Sequence, residues 1–544
     1  MLNETKKKSK PTTAHENYMG GISYDLSPFA TLYVMSASAF FGEAGYYEEV
    51  RNDDREYSEI TVEKILEHLT NMFGSFGETA NLLNKEKNRA KSMVQAIEKA
   101  LDYDAELTMR FLVWLRNKAL IRSTPAVGLA VAAHHKDLKG SGIVTSVSND
   151  IFSRLDDVTN CLAFYLKEYG KPIPNSLKKA IAKRLTGANP YELAKYSGKS
   201  KNVSLKDAIY LTHAYSESID KFCKGEIKQN TDGIETWEAI ISSEGSNKAT
   251  WTKAVDVMGH MALLRNLRNL EKHEVDKDLY LTKLINGTRS GKQLPFRYWS
   301  AYRNTTDADI KEALEECIDI SLENLPTLKG RTLILVDNSG SARHQPIAQR
   351  ATVNVCDAGN MLGVLAGMMS ESGRIGVFGD RIAYVPVNKN YRGTCMELLR
   401  TVDATGKTVG QATENGIWLA LRDAIESKES FDRIIIISDM QAGHGGLYGL
   451  DEEKYPVFPG SRTYTKYIDV PQLVRNYRKA VNPDCKLYSI QIGGYSDNIA
   501  PEFFPNSCIL SGWSTETLKF ISMFENDPMN IEEYFRNEFN LPKR

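Results

Sequence analysis

The hydrophobic period of this 544-residue chain changes near Lys329-Gly330, and that change constrains the fold more than any other feature. From about Asn17 to Leu325 apolar residues recur at three- and four-residue steps, as in Val62-Ile65-Leu66-Leu69 and Leu107-Phe111-Leu112-Leu115. That spacing is the buried stripe of an amphipathic helix. Turn signals such as Ser123-Thr124-Pro125, Gly187-Ala188-Asn189-Pro190 and Gly287 cut the run into helix pairs. With no repeat of fixed length, the pattern predicts an irregular helical-repeat array.

After Gly330 short β-rich runs alternate with helical ones. Strands are expected over Thr332 to Val336, Arg374 to Phe378, Ile382 to Val387, Arg433 to Ser438 and Lys486 to Ile492. Helices are expected around Ala348 to Met369, Met396 to Val402, Thr413 to Glu426, Pro471 to Ala480 and Thr515 to Phe524. Such alternation predicts a mostly parallel sheet covered on both faces, with functional loops at the strand C-termini. Gln441 to Tyr467, rich in Gly, Tyr and Pro, reads as an elaborated loop.

A chain of this length exceeds one compact core and fits roughly two to four domains. Its formal charge of −1 excludes a uniformly basic nucleic-acid coat, so any such binding must come from a local patch. No apolar stretch approaches the ~18 residues of a membrane span, and the first residues, Met1 to Lys8, lack the apolar core of a signal peptide. A cytoplasmic protein without membrane contact is expected. The seven cysteines include no C-x-x-C pair and read as reduced thiols.

Asp337-Asn338-Ser339-Gly340-Ser341 follows directly on the apolar run Leu333-Ile334-Leu335-Val336. An acid and two hydroxyls at two-residue steps, at the end of a buried strand, can converge on one hard cation above the sheet edge. A small dication takes about six oxygens and keeps several waters, so further donors are needed. Thr413, after the loop Gly406 to Gly410, and Asp439, after the strand Arg433 to Ser438, would supply them, with Thr405 and Thr408 as competitors of Thr413. A polar strand-to-helix turn is the plainer alternative. The set resembles the metal-ion-dependent adhesion site of von Willebrand factor A domains, D-x-S-x-S followed by T and D. That resemblance implies direct ligation by Ser339, Ser341 and Thr413, with Asp337 and Asp439 bound directly or through water, and Mg2+ or Mn2+ as the divalent cation. Thr405-Gly406-Lys407-Thr408 has the end of a nucleotide-binding loop, yet threonine occupies 401, where G-x-x-x-x-G-K-[ST] needs glycine. The site suits ligand capture at an open metal position better than hydrolysis, and no enzyme activity is expected.

Between Lys167 and Lys206 ten basic residues stand against Glu168 and Glu192 alone. On the helix expected from Asn175-Ser176, Leu177, Ile181 and Leu185 form the buried stripe, while Lys179 and Lys183 share an exposed face. Such a face binds phosphate through counterion release or is simply solvated. Several stretches resemble the TROVE module of the Ro ribonucleoprotein autoantigen family: Asn17 to Gly21, Gly42 to Tyr47, Pro174 to Ile181, Ala194-Lys195-Tyr196, Leu211-Thr212-His213 and Ala262 to Arg268. A TROVE-like module followed by an A-like domain is the arrangement of that family.

The resemblance implies a monomeric all-α ring of HEAT-like helical repeats closed by the α/β domain. It implies small noncoding Y-like RNA on the outer basic surface, misfolded RNA ends in the central hole, and presentation of RNA to an exoribonuclease, as in bacterial relatives. Lys195 matches the Lys of the family's RNA-contacting Lys-Tyr element, and His213 its RNA-contacting His. Lys199 stands where the family has Arg, which keeps a phosphate contact but loses the planar fork. Thr212-His213-Ala214-Tyr215 departs from the family's S-H-x-K-P and so lacks a basic residue and a turn. Arg265 and Arg268 resemble an inner helix of the ring, meeting single-stranded RNA or pairing with Glu271 or Asp276. Tyr191, Tyr196 and Tyr210 stack on unpaired bases or pack in the helices.

The chain thus divides into a tail (1–15), a TROVE HEAT-like helical-repeat ring (16–328), a von Willebrand A-like domain (329–526) and a C-terminal segment (527–544). Two functions fit: an RNA-binding protein of noncoding RNA quality control, and a metal-dependent protein-adhesion scaffold whose basic helices bind an acidic partner.

Overall fold

The apolar run at the change of period becomes an inner strand of a parallel sheet. The computed structural model describes residues 14–16, 22–37, 76–197, 203–227, 235–291, 293–323, 325–346, 353–379, 381–388, 393–410, 415–440, 457–459, 466–468, 470–492, 498–501, 504–511, 515–526 and 531–538. A short antiparallel pair, β1 (Ala14–Glu16) and β2 (Ile22–Tyr24), comes first. The main sheet begins with β3 (Leu328–Asp337), β4 (Ser370–Phe378), β5 (Ile382–Asn388) and β6 (Arg433–Ser438). A second antiparallel pair, β7 (Val457–Pro459) and β8 (Lys466–Ile468), lies in the stretch expected to be loop. β9 (Lys486–Gln491) and β10 (Ser507–Ser511) complete the main sheet in the order β10-β9-β6-β3-β4-β5. Only β5 runs antiparallel to its neighbour.

Parallel strands buried on both faces read as continuous apolar runs, and β6 is buried along its whole length. Leu333 and Leu335 pack with Trp418, Leu421, Leu473 and Tyr477 of the helices Asn415–Glu426 and Val470–Ala480. The alternate residues meet the helix Val355–Met369, where a Cβ on Gly363 would collide with Val336. Glycine at 363 therefore sets how closely that helix approaches the sheet.

Two elements differ from expectation. The helix expected from Ala348 starts at Val355, because Asn354 and Asp357 form a capping box and Asn354 bridges to Pro346. β10 is an unanticipated strand whose apolar stretch is only Cys508-Ile509-Leu510; it forms in register on β9.

The chain forms two compact units, one from Met1–Gly42 with Asn247–Ile531 and the other from Glu43–Ser246 with Glu532–Arg544. The expected boundary at 328/329 marks the change of secondary structure, but the packing boundary falls at 246/247. Helices from Lys248–Val257 to Ala308–Leu322 are helical in period yet group with the sheet. The helix Pro28–Ala37 joins them there: Tyr33 Oη donates to Ser511 O at 3.3 Å and Ser511 Oγ donates to Val34 O at 2.8 Å. The C-terminal helix Ile531–Glu538 packs in the other unit, with Phe535 buried 5.2 Å from Phe111 and 5.1 Å from Trp114 between ring centres. Its Arg536 pairs with Asp104 at 2.6 Å. All seven cysteines are free thiols. Among the described residues no helix is long and apolar enough to cross a membrane.

Candidate functional site

Val336 of β3 lies opposite Ile437 of β6, so Asp337 and the pair Ser438-Asp439 leave the sheet side by side. Both acids are fully buried. Asp337 Oδ1 accepts the Ser339 backbone N–H at 2.8 Å, and Oδ2 accepts the Ser438 hydroxyl at 2.7 Å. The Ser339 and Ser341 hydroxyls stand 3.2 Å apart. Burial pushes the Asp337 carboxyl above the usual carboxylate range, against the opposing pull of hydrogen bonds from Ser339 and Ser438. A cation beside such a carboxylate would favour its ionised form. Two acids and two hydroxyls make a hard-oxygen donor set suited to Mg2+ or Mn2+, and no group of three or more His, Cys, Asp or Glu able to hold a metal occurs among the described residues.

Thr413 lies outside the described residues. Thr405 Oγ1 donates to Thr401 O at 2.8 Å, and Thr408 Oγ1 to Thr405 O at 2.7 Å. The Thr405-Gly406-Lys407-Thr408 tract ends the helix Cys395–Gly406 and does not lead into one, so it lacks the geometry of a nucleotide-binding loop. Sequence reasoning missed Ser438, whose only signal is a hydroxyl placed beside Asp439 at a strand end. It also missed the support beneath Asn338, whose Nδ2 donates to Asn360 Oδ1 at 2.8 Å. A Cβ on Gly406 would collide with the Asn338 side chain, so glycine there lets the Cys395–Gly406 helix end against this loop.

The second set of residues is built on short capped helices. Asn175–Thr186 buries Leu177, Ala180, Ile181 and Leu185, and leaves Lys179 and Lys183 exposed. Arg184 is occupied structurally, donating from Nε to Phe152 O at 2.7 Å and pairing with Glu192. Asn189 and Glu192 form a capping box around Pro190–Lys195, which ends on Lys195. Lys195 Nζ sits 3.4 Å from the Tyr191 hydroxyl and 3.9 Å from Glu238 Oε1, so a phosphate there competes with a carboxylate. His213 caps the helix Leu205–Thr212 in the left-handed region at φ 55°, which turns it away from the helix and leaves it exposed. Leu205–Thr212 packs on Asn175–Thr186, and Pro190–Lys195 on Glu217–Lys224, so these elements are neighbours in one unit. Tyr191 and Tyr210 are exposed, as base stacking requires, whereas Tyr196 is half-buried with Arg154 over its ring. Lys199 lies outside the described residues. Arg265 and Arg268 project from the helix His260–Lys272 of the other unit; both are exposed, and neither forms the ion pair with Glu271 or Asp276 among the described residues.

A long set of helices joined to an open, mostly parallel sheet with an acid-and-hydroxyl strand end defines a helical-repeat protein carrying a von Willebrand A-like domain. Residues 230–324 match the TROVE domain family model. The fold is similar to the crystal structure of the Ro (RSR) protein of Deinococcus radiodurans, with a TM-score of 0.54 and 13% identity over 78% of this chain and 92% of that one. No curated protein matches the chain by sequence. The chain thus carries a segment similar to the TROVE domain within a fold similar to that of a Ro protein. Ala262 to Arg268 lies within the matched segment; the other stretches that resemble the module lie outside it.

Proposed function

We propose that the protein is a cytoplasmic, monomeric, non-enzymatic RNA scaffold. It holds a small noncoding, Y-like RNA on the surface formed by Lys179, Lys183, Lys195, Lys199 and His213, and takes misfolded RNA ends near Arg265 and Arg268. It serves noncoding RNA quality control and passes RNA to an exoribonuclease. The observation that carries this reading is His213, exposed on a left-handed helix cap beside the exposed Lys179–Lys183 face, in a chain whose residues 230–324 match the TROVE domain model. The test is recovery and sequencing of RNA bound to the purified protein, beside a variant carrying Lys195→Ala, Lys199→Ala and His213→Gly. Glycine is chosen at 213 because it accepts positive φ without strain. A dominant structured RNA, lost in the variant with a salt slope lower by about two to three, is expected. An equal yield and an unchanged slope would remove the site assignment.

The strand-end site holds Mg2+ or Mn2+ through Asp337, Ser339, Ser341, Thr413 and Asp439, and captures a partner's carboxylate at the open position. Either cation should raise the melting temperature of the protein, and Asp439→Ala should abolish that rise. The reading fails if the unaltered protein melts at the same temperature with and without the cation.

A further inference from the structure

Beside Asn338 the Asn247–Ile531 unit contains a cavity of 630 Å³. Its walls come from the helices Pro295–Arg303, Gly340–His344, Val355–Met369 and Cys395–Gly406. Cations dominate the lining: Arg303, Arg343, Arg400 and Lys407 stand against the carboxylates of Asp357 and Asp403. Two of those arginines are matched within the fold. Arg303 pairs with Asp357 at 2.7 Å, and Arg400 pairs with Glu315 while donating to the Tyr302 hydroxyl at 2.7 Å.

Arg343 is different. Its Nε donates to the Asn338 carbonyl at 2.7 Å, which fixes the guanidinium plane, but its Nη2 is buried with no hydrogen-bond partner. A buried donor left without an acceptor costs about 1–3 kcal/mol, and a charged one more, so this guanidinium is a place for an acceptor supplied by water or a ligand. Lys407 also lines the cavity, directly after Gly406, which abuts the Asn338 side chain. The remaining acid, Asp403, accepts a hydrogen bond from Asn360 Nδ2 at 2.8 Å.

An inorganic ion fills only a fraction of this space, which lies in the range of about 300–1,000 Å³ usual for small-molecule pockets. A guanidinium held by one of its nitrogens presents the others as a fork that matches phosphate oxygens, and a lysine adds a mobile point charge. Tyr302 and Asn354 offer the mixed surface that a ring with polar edges requires. We infer that this cavity binds a small organic phosphomonoester of mononucleotide size, with its phosphate between Arg343 and Lys407. The inference is separate from the proposed RNA binding, because the cavity lining includes none of Lys179, Lys183, Lys195, His213, Arg265 and Arg268.

The test is calorimetric titration of the full chain, freed of RNA by nuclease and high salt, with AMP, ribose 5-phosphate, inorganic phosphate and adenosine. At least one of the two phosphomonoesters should bind ten-fold or more tighter than adenosine and than inorganic phosphate. Arg343→Met and Lys407→Met should each weaken that binding five-fold or more. Because Arg343 also holds the loop carbonyl, Lys407→Met is the variant that remains readable if Arg343→Met fails to fold. If neither ester titrates below the millimolar range, if adenosine binds as well as AMP, or if Lys407→Met binds like the wild type, the inference is wrong.

Discussion

At the scale of single residues, burial decides which groups carry chemistry. Asp403 shows the sign of this effect. Burial, aided by Asp357 and opposed by the hydrogen bond from Asn360, raises its carboxyl to about 6. The proton favoured by the fold is fully in place below the ordinary carboxylate pKa near ~4, and its stabilisation is lost as pH rises through about 6. The wild type should therefore lose up to about 3 kcal/mol of stability between pH 4 and 7.5 that Asp403→Asn does not lose. Denaturation midpoints of both proteins across that range measure it, and parallel curves would contradict it. Asp337 and Asp439 were legible in the sequence because an acid directly after an apolar run sits at a strand end. Ser438 was not, since a serine at the end of a strand has the same appearance whether it satisfies a neighbour's carboxylate or faces water. Arg343 was equally silent: nothing in Ser341-Ala342-Arg343 announces that one guanidinium nitrogen is buried without a partner.

At the scale of elements, hydrophobic period reported type well and extent less well. Leu177, Ile181 and Leu185 face inward as the 3.6-residue period requires, and β6 and the Thr332 to Val336 stretch of β3 are buried along their length. β10 escaped because three apolar residues fall short of a strand signal, and its pairing with β9 supplies what the local sequence lacks. The last helix carries a sharper consequence. Ile531–Glu538 is short and has charged residues at 532, 533, 536 and 538, so little in its own sequence would hold it helical in water. Phe535, fully buried between Phe111 and Trp114, is what anchors it. Phe535→Ala should cost about 3–5 kcal/mol, within the range for emptying a core aromatic site. A loss below 1 kcal/mol in chemical denaturation would mean that the helix docks too weakly to matter.

At the scale of the whole chain, neither compact unit is a continuous stretch of sequence, and period alone could not have shown this. A change from helical to strand period reports what each segment is, whereas a domain boundary depends on what each segment packs against. The helices between 247 and 322 share the period of the preceding helices but are tied to the sheet unit: Arg303 pairs with Asp357, Asp319 accepts the Cys395 N–H at 3.2 Å, and Tyr302 accepts from Arg400. Cutting at the period change would strip these partners away and expose the apolar surface of the helices Val355–Met369 and Cys395–Gly406. A fragment of residues 329–526 should thus melt well below a fragment of 247–526, even though both contain all six strands. The two share the absence of Pro28–Ala37, so the lost contact with Ser511 does not enter the difference. Equal melting temperatures would show that the period change, and not the packing boundary, marks where the folding unit begins.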